Sequence, residues 1–437
     1  MIKRNENRLG YKKTKVGWIP DDWECVQLKT VGEVKTGPFG AQLHEKDYVE
    51  VGTPIVTVEH LSEQGLIYQN LPMISEIDKA RLAPYVLQQG DIVFSRVGSV
   101  DRNSLIKKSE EGWLFLGRLL RVRPIGTNLD TAFLSAFFHL SSFKHYVRSI
   151  AVGGTMRCLN TSLLSQISIP FPKSAEQKKI AEILSAWDRA IEQTRELIAA
   201  KKLLKKGLMQ QLLTGRMRFP EFGTKNTRTG SRFYYLPNSW GNPRISEIAR
   251  EVIVRNSKRT KYTVLSCSKY DGFVNSLEYF GKKVYSEDTS NYKVIKRGQF
   301  GYPSNHVEEG SIGLLEHVSV GVVSPIYTIF EVVHEKAHAP YLYSLFKTET
   351  FRHIFNVSTN ASVDRRGSLR WKEFSRIRVP LPSIKEQRRI IETLAVCDKE
   401  LEILTNKKKA LLKQKKGLMQ KLLTGEVRVK LPQKVAS

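Results

Sequence analysis

The sequence is short of carboxylates: 43 Asp and Glu stand against 70 Lys and Arg, a formal net charge of +27 over 437 residues. An imbalance of this size calls for a polyanionic partner. Nucleic acid comes first, because phosphate contacts supply most of its electrostatic affinity; an anionic membrane surface is the alternative. Long hydrophobic runs are also missing. No stretch of about 18 apolar residues and no signal-peptide core is present, which argues against a spanning or exported chain and leaves a cytoplasmic one as the expectation. Cysteine is scarce and scattered (Cys25, Cys158, Cys267, Cys397), with no CxxC pair, so reduced thiols are expected rather than a zinc cluster or disulfide frame. There is no GxxxxGK[ST] phosphate loop, no glycine-rich strand-to-helix turn for a nucleotide or S-adenosylmethionine, and no Asn/Asp-Pro-Pro-aromatic motif. An ATP-driven motor or an amino-methyltransferase is therefore not expected in this chain. At 41% hydrophobic and 26% charged the composition is that of a soluble globular protein, long enough for two to four domains.

What the sequence has is a repeat. KKGLMQQLLTG at 205–215 returns as KKGLMQKLLTG at 415–425, and residues 167–219 align without a gap on 377–429, with 22 of 53 pairs identical. Each copy opens with alternating apolar residues and two prolines, ISIPFP (167–172) and IRVPLP (377–382), the pattern of a half-buried strand that Pro ends. Ser174 with Gln177, and Ser383 with Glu386, fit the spacing of a capping box. Gly215 and Gly425 stand where a left-handed residue closes a helix. Between those limits each copy predicts a helix of roughly 40 residues, about 60 Å long.

The apolar positions within these helices form a seam. Ile390, Leu394, Cys397, Leu401, Leu404, Leu411, Leu418 and Leu422 follow a 4-3 spacing, interrupted by Lys408 and Lys415. Ile180, Leu184, Trp187, Ile191, Ile198, Leu208 and Leu212 hold the same register, interrupted by Thr194, Lys201 and Lys205. Sustained over this length, the spacing predicts a coiled coil. The N-terminal halves hold the acids (Glu176, Glu182, Asp188, Glu192 and Glu196; Glu386, Glu392, Asp398, Glu400 and Glu402), while the C-terminal halves are lysine-rich. An antiparallel pair sets basic ends against acidic ones and opposes the macrodipoles favourably, so antiparallel packing is expected.

The intervening segments repeat more faintly. IPDDW (19–23) matches LPNSW (236–240), QQGDIVF (88–94) parallels KRGQFGY (296–302), and AFLSAFFHLSSFKHYV (132–147) parallels APYLYSLFKTETFRHI (339–354), each of the last pair read as one short amphipathic helix. The interiors differ. The expected fold class is α+β: two similar β-rich globular domains with short helices, at 1–172 and 216–382, and two long antiparallel helices, at 173–215 and within 383–437.

A P-x-x-W opening, a strand ending in P-x-P, an EQ-containing capped helix and a closing LLTG, all in tandem duplicate, resemble the specificity subunit of type I restriction–modification enzymes over nearly the whole chain. The most specific element is the pair PFPKSAEQKKIAEIL (170–184) and PLPSIKEQRRIIETL (380–394). The resemblance implies that each globular part is a target recognition domain reading one half of an asymmetric bipartite site in double-stranded DNA. It also implies that the helices space the halves and dock two methyltransferase (modification) subunits, with restriction/translocase subunits completing the complex. S-adenosylmethionine, ATP and Mg are then expected on the partner chains and no cofactor or catalytic residue in this one. The spacer and partner role falls on Glu176, Gln177, Ile180, Leu184, Trp187, Ile191, Glu386, Gln387, Ile390, Leu394, Leu401 and Leu404.

Two motifs suggest the rival class, a self-contained metal-dependent nuclease or modifying enzyme. His334-Glu335-Lys336-Ala337-His338 spells HExxH, but it follows a strand-like run and Pro340 lies just beyond it, where a zinc-binding helix would have to continue. Asp21, Glu33 and Lys35 loosely match a nuclease pattern, which the second copy loses. Base reading falls instead to loops with basic and small polar residues. In the first domain these are Arg96, Ser99 and Arg102 (RVGSVDR), and Gly153, Gly154, Thr155 and Arg157 (GGTMR). In the second they are Tyr302, Asn305 and His306 (YPSNH), and Thr359, Asn360, Ser362, Arg365 and Arg366 (STNASVDRR).

Overall fold

The computed structural model describes residues 5–38, 43–126, 128–154, 156–223, 227–333, 335–360 and 368–431. These form two units, one of residues 1–195 with 406–437, the other of residues 196–405. Each unit thus joins one globular domain to parts of two helices, α1 (Ser174–Leu212) and α2 (Ile384–Leu422).

The first unit is built on an antiparallel sheet in the order Asn103–Leu105, Ile92–Ser95, Leu119–Pro124, Gly32–Thr36. Ile92–Ser95 is buried at every position, as a central strand covered on both faces should be. Helices Thr131–Phe138 and Ser141–Ile150 cover this sheet through Phe133, Phe137, Phe138 and Phe143. A second sheet, Leu114–Phe115, Thr53–Val56, Met73–Ile74, Tyr48–Val49, holds the part of the domain that has no match in the other copy. In the second unit the corresponding sheet runs Ala249–Glu251, Tyr327–Val332, Phe300–Pro303, Gly313–Leu314, under helices Ala339–Phe346 and Glu349–Asn360.

Three local expectations are corrected. The segments 132–147 and 339–354 are each two helices rather than one, broken at His139-Leu140 and at Lys347-Thr348, where the Thr348 hydroxyl accepts the Phe351 N–H and starts the second helix. ISIPFP contributes a strand, Ser168–Phe171 paired with Glu24–Gln27, whereas IRVPLP makes only isolated bridges, Gly241 with Leu381 and Arg244 with Arg378. The capping boxes are not formed as such. Ser383 does accept the Glu386 N–H at 3.3 Å, but the Gln177 and Glu386 side chains reach away from the helix ends to partners described below.

Along both helices the seam positions are the buried or half-buried ones. Ile180, Leu184, Trp187, Ile191, Thr194, Ile198, Lys201, Lys205, Leu208 and Leu212 on α1, and their equivalents on α2, alternate with exposed neighbours at the 4-3 spacing. The two helices run antiparallel within each unit. Ile180 and Leu184 share a core with Leu418, Met419 and Leu422 in the first, and Ile390 and Leu394 share one with Leu208 and Leu212 in the second. Three of the seam lysines are answered across the pair by acids: Lys415 by Asp188 in the first unit, and Lys205 by Asp398 and Lys201 by Glu400 in the second. The Lys415–Asp188 and Lys205–Asp398 pairs are equivalent under the 210-residue repeat.

Candidate nucleic-acid interface

Each globular domain is fixed to its helices by the words that repeat in the sequence. In the first unit Arg428, just past α2, donates to both Glu176 carboxylate oxygens at 2.7 Å and to both oxygens of Asp22 at 2.8 Å. The guanidinium beside Asp22 holds that carboxyl below its usual range, and Glu176 with Asp22 raises the pKa of Arg428. In the second unit Arg218 donates to both oxygens of Glu386 at 2.9 and 2.8 Å, and the Trp240 N–H donates to the same carboxylate at 3.1 Å. Gly215 and Gly425, both at φ +70°, close the helices against Pro237 and Pro20. A Cβ at either glycine would lie 2.4 Å from the proline ring. The P-x-x-W, E-Q and L-L-T-G words therefore meet at one corner of each unit.

The glutamines of the E-Q words do a related job. Gln177 donates to Pro172 O and Asn128 O and accepts from Asp130 N–H; Gln387 donates to Pro382 O and accepts from His338 N–H. Each ties the start of a long helix to the start of the first covering helix of its domain. Glu176, Gln177, Glu386 and Gln387 are all buried, so they position the domains and present no surface to a second protein.

Elsewhere in each domain, backbone hydrogen bonds join the strand ends that carry the candidate loops. In the first, Gly98 N–H donates to Arg157 O at 2.9 Å and Leu159 N–H to Arg96 O at 2.8 Å, which lays GGTMR beside RVGSVDR. Ser99, Arg102, Gly153, Gly154 and Arg157 are exposed there, and Thr155 lies outside the described residues. Gly153 sits at φ +112° with Met156 O where a Cβ would point, so the turn requires glycine. Arg96 turns inward, donating to Thr36 and Gly117 O at 3.3 Å, and serves the scaffold. In the second domain Leu369 N–H donates to Ser304 O at 2.7 Å, the counterpart of the Leu159–Arg96 bond.

Not every proposed reader is available. Tyr302 is 0% exposed, packed on Phe374 at 4.8 Å, and burial pushes its phenol well above the usual range. Thr359 is buried and its hydroxyl donates to Phe355 O. Both belong to the core, because alternation along a central strand and the inner face of a helix turn them inward. Asn305 is half-buried, His306 is exposed 3.5 Å from Glu309, and Ser362, Arg365, Arg366 and the side chain of Asn360 lie outside the description. Sequence reading passed over exposed Arg118, whose carbonyl accepts the Arg96 N–H beside the first loop pair. It also passed over aliphatic side chains off the seam: Leu197, Leu203, Leu204, Val396 and Ile403 are exposed on the helices of the second unit. Their signal was present as the i, i+7 pairs Leu197/Leu204 and Val396/Ile403.

The enzyme-like motifs resolve into structure. Residues 335–338 form a turn ahead of Ala339–Phe346, with Ala337 fully buried and His338 at the helix start, while His334 lies outside the described residues. Glu33 is paired with Arg121 at 2.7 Å, and Lys35 lies over the Tyr85 ring. Among the described residues no group of three His, Cys, Asp or Glu is placed to hold a metal, and no helix is long and apolar enough to cross a membrane.

Two like domains, each clasped to a helix pair and each with loop sequences of its own, define a duplicated protein. The model for the type I restriction modification DNA specificity domain matches residues 20–201 and 279–414. The putative type I restriction enzyme MjaX specificity subunit of Methanocaldococcus jannaschii is 27% identical over 435 residues, covering 96% of this chain and 97% of its own. The MjaVIII specificity subunit of the same organism is 27% identical over 212 residues, 48% of this chain and 49% of its own. Among solved structures, the type I restriction–modification S subunit from M. genitalium superposes with a TM-score of 0.52 at 16% identity, covering 94% of this chain and 96% of that one. A chain from a study of complex assembly and conformational transition in the type I system gives 0.53 at 13%, covering 94% and 99%. The chain belongs to the specificity subunits of type I restriction–modification systems, and it carries two of their DNA specificity domains.

Proposed function

We propose that each recognition domain reads one half of an asymmetric bipartite DNA site, that α1 and α2 set the gap between the halves, and that two modification subunits dock on the helices. The observation that carries this reading is the double clasp. Arg428–Glu176 and Arg218–Glu386 hold the two domains to the helices in the same way, while the loops of the two domains differ in sequence. One frame with two reading surfaces fits one complex with two unlike half-sites.

The base-reading residues are placed in the loop pairs, with Ser99, Arg102 and Arg157 in the first domain and Asn305 and His306 in the second, joined by the cations between 361 and 367. Partner docking is assigned to the exposed aliphatic side chains Leu197, Leu204, Val396 and Ile403, in place of the buried Glu-Gln pairs. Methylation with S-adenosylmethionine, ATP-driven translocation and Mg-dependent cleavage fall to the partner chains, and the complex works in the cytoplasm on double-stranded DNA. Specific binding should need the modification subunits and weaken steeply with salt, as phosphate contacts do. Methylation-sensitive sequencing of the host genome, with and without this gene, tests the reading. A bipartite motif with two unlike halves should vanish with the gene; a contiguous or palindromic motif would overturn it.

A further inference from the structure

The two domains differ in charge in the segment that follows the first strand of their main sheet, Gly32–Thr36 in one and Ala249–Glu251 in the other. In the first domain residues 37–75 carry five carboxylates and one lysine; in the second, residues 252–286 carry seven cations and two carboxylates. The basic segment begins with a turn built around one side chain. Asn256 is 3% exposed; its amide donates to Thr260 O at 2.9 Å and its carbonyl oxygen accepts the Thr260 N–H at 3.0 Å. Its backbone N–H donates to Tyr292 O, and Arg259 N–H donates back to Asn256 O. Arg259 is held at φ +52°, a conformation few side-chain-bearing residues adopt without a constraint. A closed turn of this kind fixes the directions of the side chains that leave it.

Those side chains are Lys258, Arg259 and Lys261, all exposed, and no ion pair is formed by them among the described residues. The Ser290 N–H donates to Asp288 and is the main cause that lowers its pKa, with Arg259 acting only through its charge. Three unneutralised cations on one pinned turn match the repeating charge of a nucleic-acid backbone, where position matters more than base identity. We propose that the Asn256 turn is a phosphate anchor, and that the second domain therefore supplies backbone grip that the acidic segment of the first does not. This rests on the reading of the chain as a DNA specificity subunit and adds an inequality between its domains.

The test is the salt dependence of binding. The full chain, assembled with its modification subunits, is titrated onto a mixed-sequence duplex over a range of KCl concentrations. Each phosphate contact contributes about 0.9 to the slope of log K against log salt, so Lys258→Gln/Arg259→Gln/Lys261→Gln should flatten the slope by about 2.7. Lys258→Arg/Lys261→Arg, which keeps the charge, should leave it unchanged, and the methylated motif should be the same in all three proteins. An unaltered slope in the triple Gln variant, with the parent binding in a salt-dependent way, overturns the anchor. A changed motif overturns it too, by showing that these side chains read bases. If the parent itself shows no salt-dependent binding to DNA, the failure belongs to the proposed function.

Discussion

The two clasps repeat one design at two degrees of enclosure. Arg218 is 4% exposed against Glu386, whereas Arg428 is 40% exposed against Glu176. The difference comes from what surrounds the pair. In the second unit the Trp240 N–H adds a further hydrogen bond to Glu386, and both members of the pair are buried. In the first, Asp22 comes in from the surface as a second acid, and the Trp23 N–H finds no acceptor among the described residues. Duplication has kept the charges that hold a domain to its helix and let their solvation diverge.

That divergence sets the largest expected effect. Glu386→Ala leaves a buried guanidinium without its anion and should cost the second unit about 3–5 kcal/mol. Glu176→Ala, where Arg428 keeps Asp22 and water, should cost the first unit only about 1–2 kcal/mol. Hydrogen exchange under denaturant, read at residues 234–248 and 19–28, separates the two; equal losses would break the comparison. The helix ends should behave alike. Gly215→Ala and Gly425→Ala each force a left-handed alanine into a proline ring, and each should cost about 2–4 kcal/mol.

Acid should again separate the domains. His139 closes the first covering helix; its Nε2–H donates to Asn103 O, with Glu63, Lys144 and Lys415 nearby, and burial lowers its pKa to about 4. A histidine held neutral in the fold binds its proton more readily when unfolded. Its stabilisation is thus complete above about pH 6.5 and is lost as pH falls toward about 4, by up to about 3 kcal/mol. The equivalent helix of the second domain closes with Lys347, whose Nζ donates to Lys269 O and Gly310 O. Unfolding at graded pH should therefore show acid loss in the first unit, and His139→Gln should flatten it.

The smallest expected effect is none. The N-terminal arm lies on the end of α2, where Tyr11 donates to Gly425 O at 2.6 Å and Arg8 to Glu426 O. Joining the old termini and opening the chain between 224 and 229, a stretch whose first three residues lie outside the described structure, should leave the methylated motif unchanged. A folded, assembled permutant that methylates a different motif would show that chain order matters.

The sequence disclosed the frame through its repetition, but not the work the repeated words do. Glu-Gln looked like a helix cap and partner contact. The acceptors and donors it serves lie in backbone 5 to 49 residues away, at Pro172, Asn128 and His338, which spacing along a helix does not reveal. The heptad seam was legible because burial on a long helix follows its own period. The candidate loops were legible only as segments between matched strands and helices; that RVGSVDR and GGTMR lie side by side was not, because backbone hydrogen bonds between distant segments leave no mark on either. Single residues in them were not: Tyr302 looks like a loop aromatic until its packing against Phe330 and Phe374 is seen.

Inserting one matched heptad into each helix, beside Lys201 in α1 and beside Leu411, which aligns with it, in α2, asks whether the helices are the ruler between the two readers. The seam register is kept, and the pair lengthens by roughly 10 Å, about three base pairs of DNA. Three base pairs also rotate the duplex by about 100°, so an inactive protein decides nothing and only an active one is informative. Methylation-sensitive sequencing of a strain carrying the active variant should return the same two half-sites with a gap about three base pairs longer. An active variant that keeps the original gap would show that the spacing is set by something other than α1 and α2.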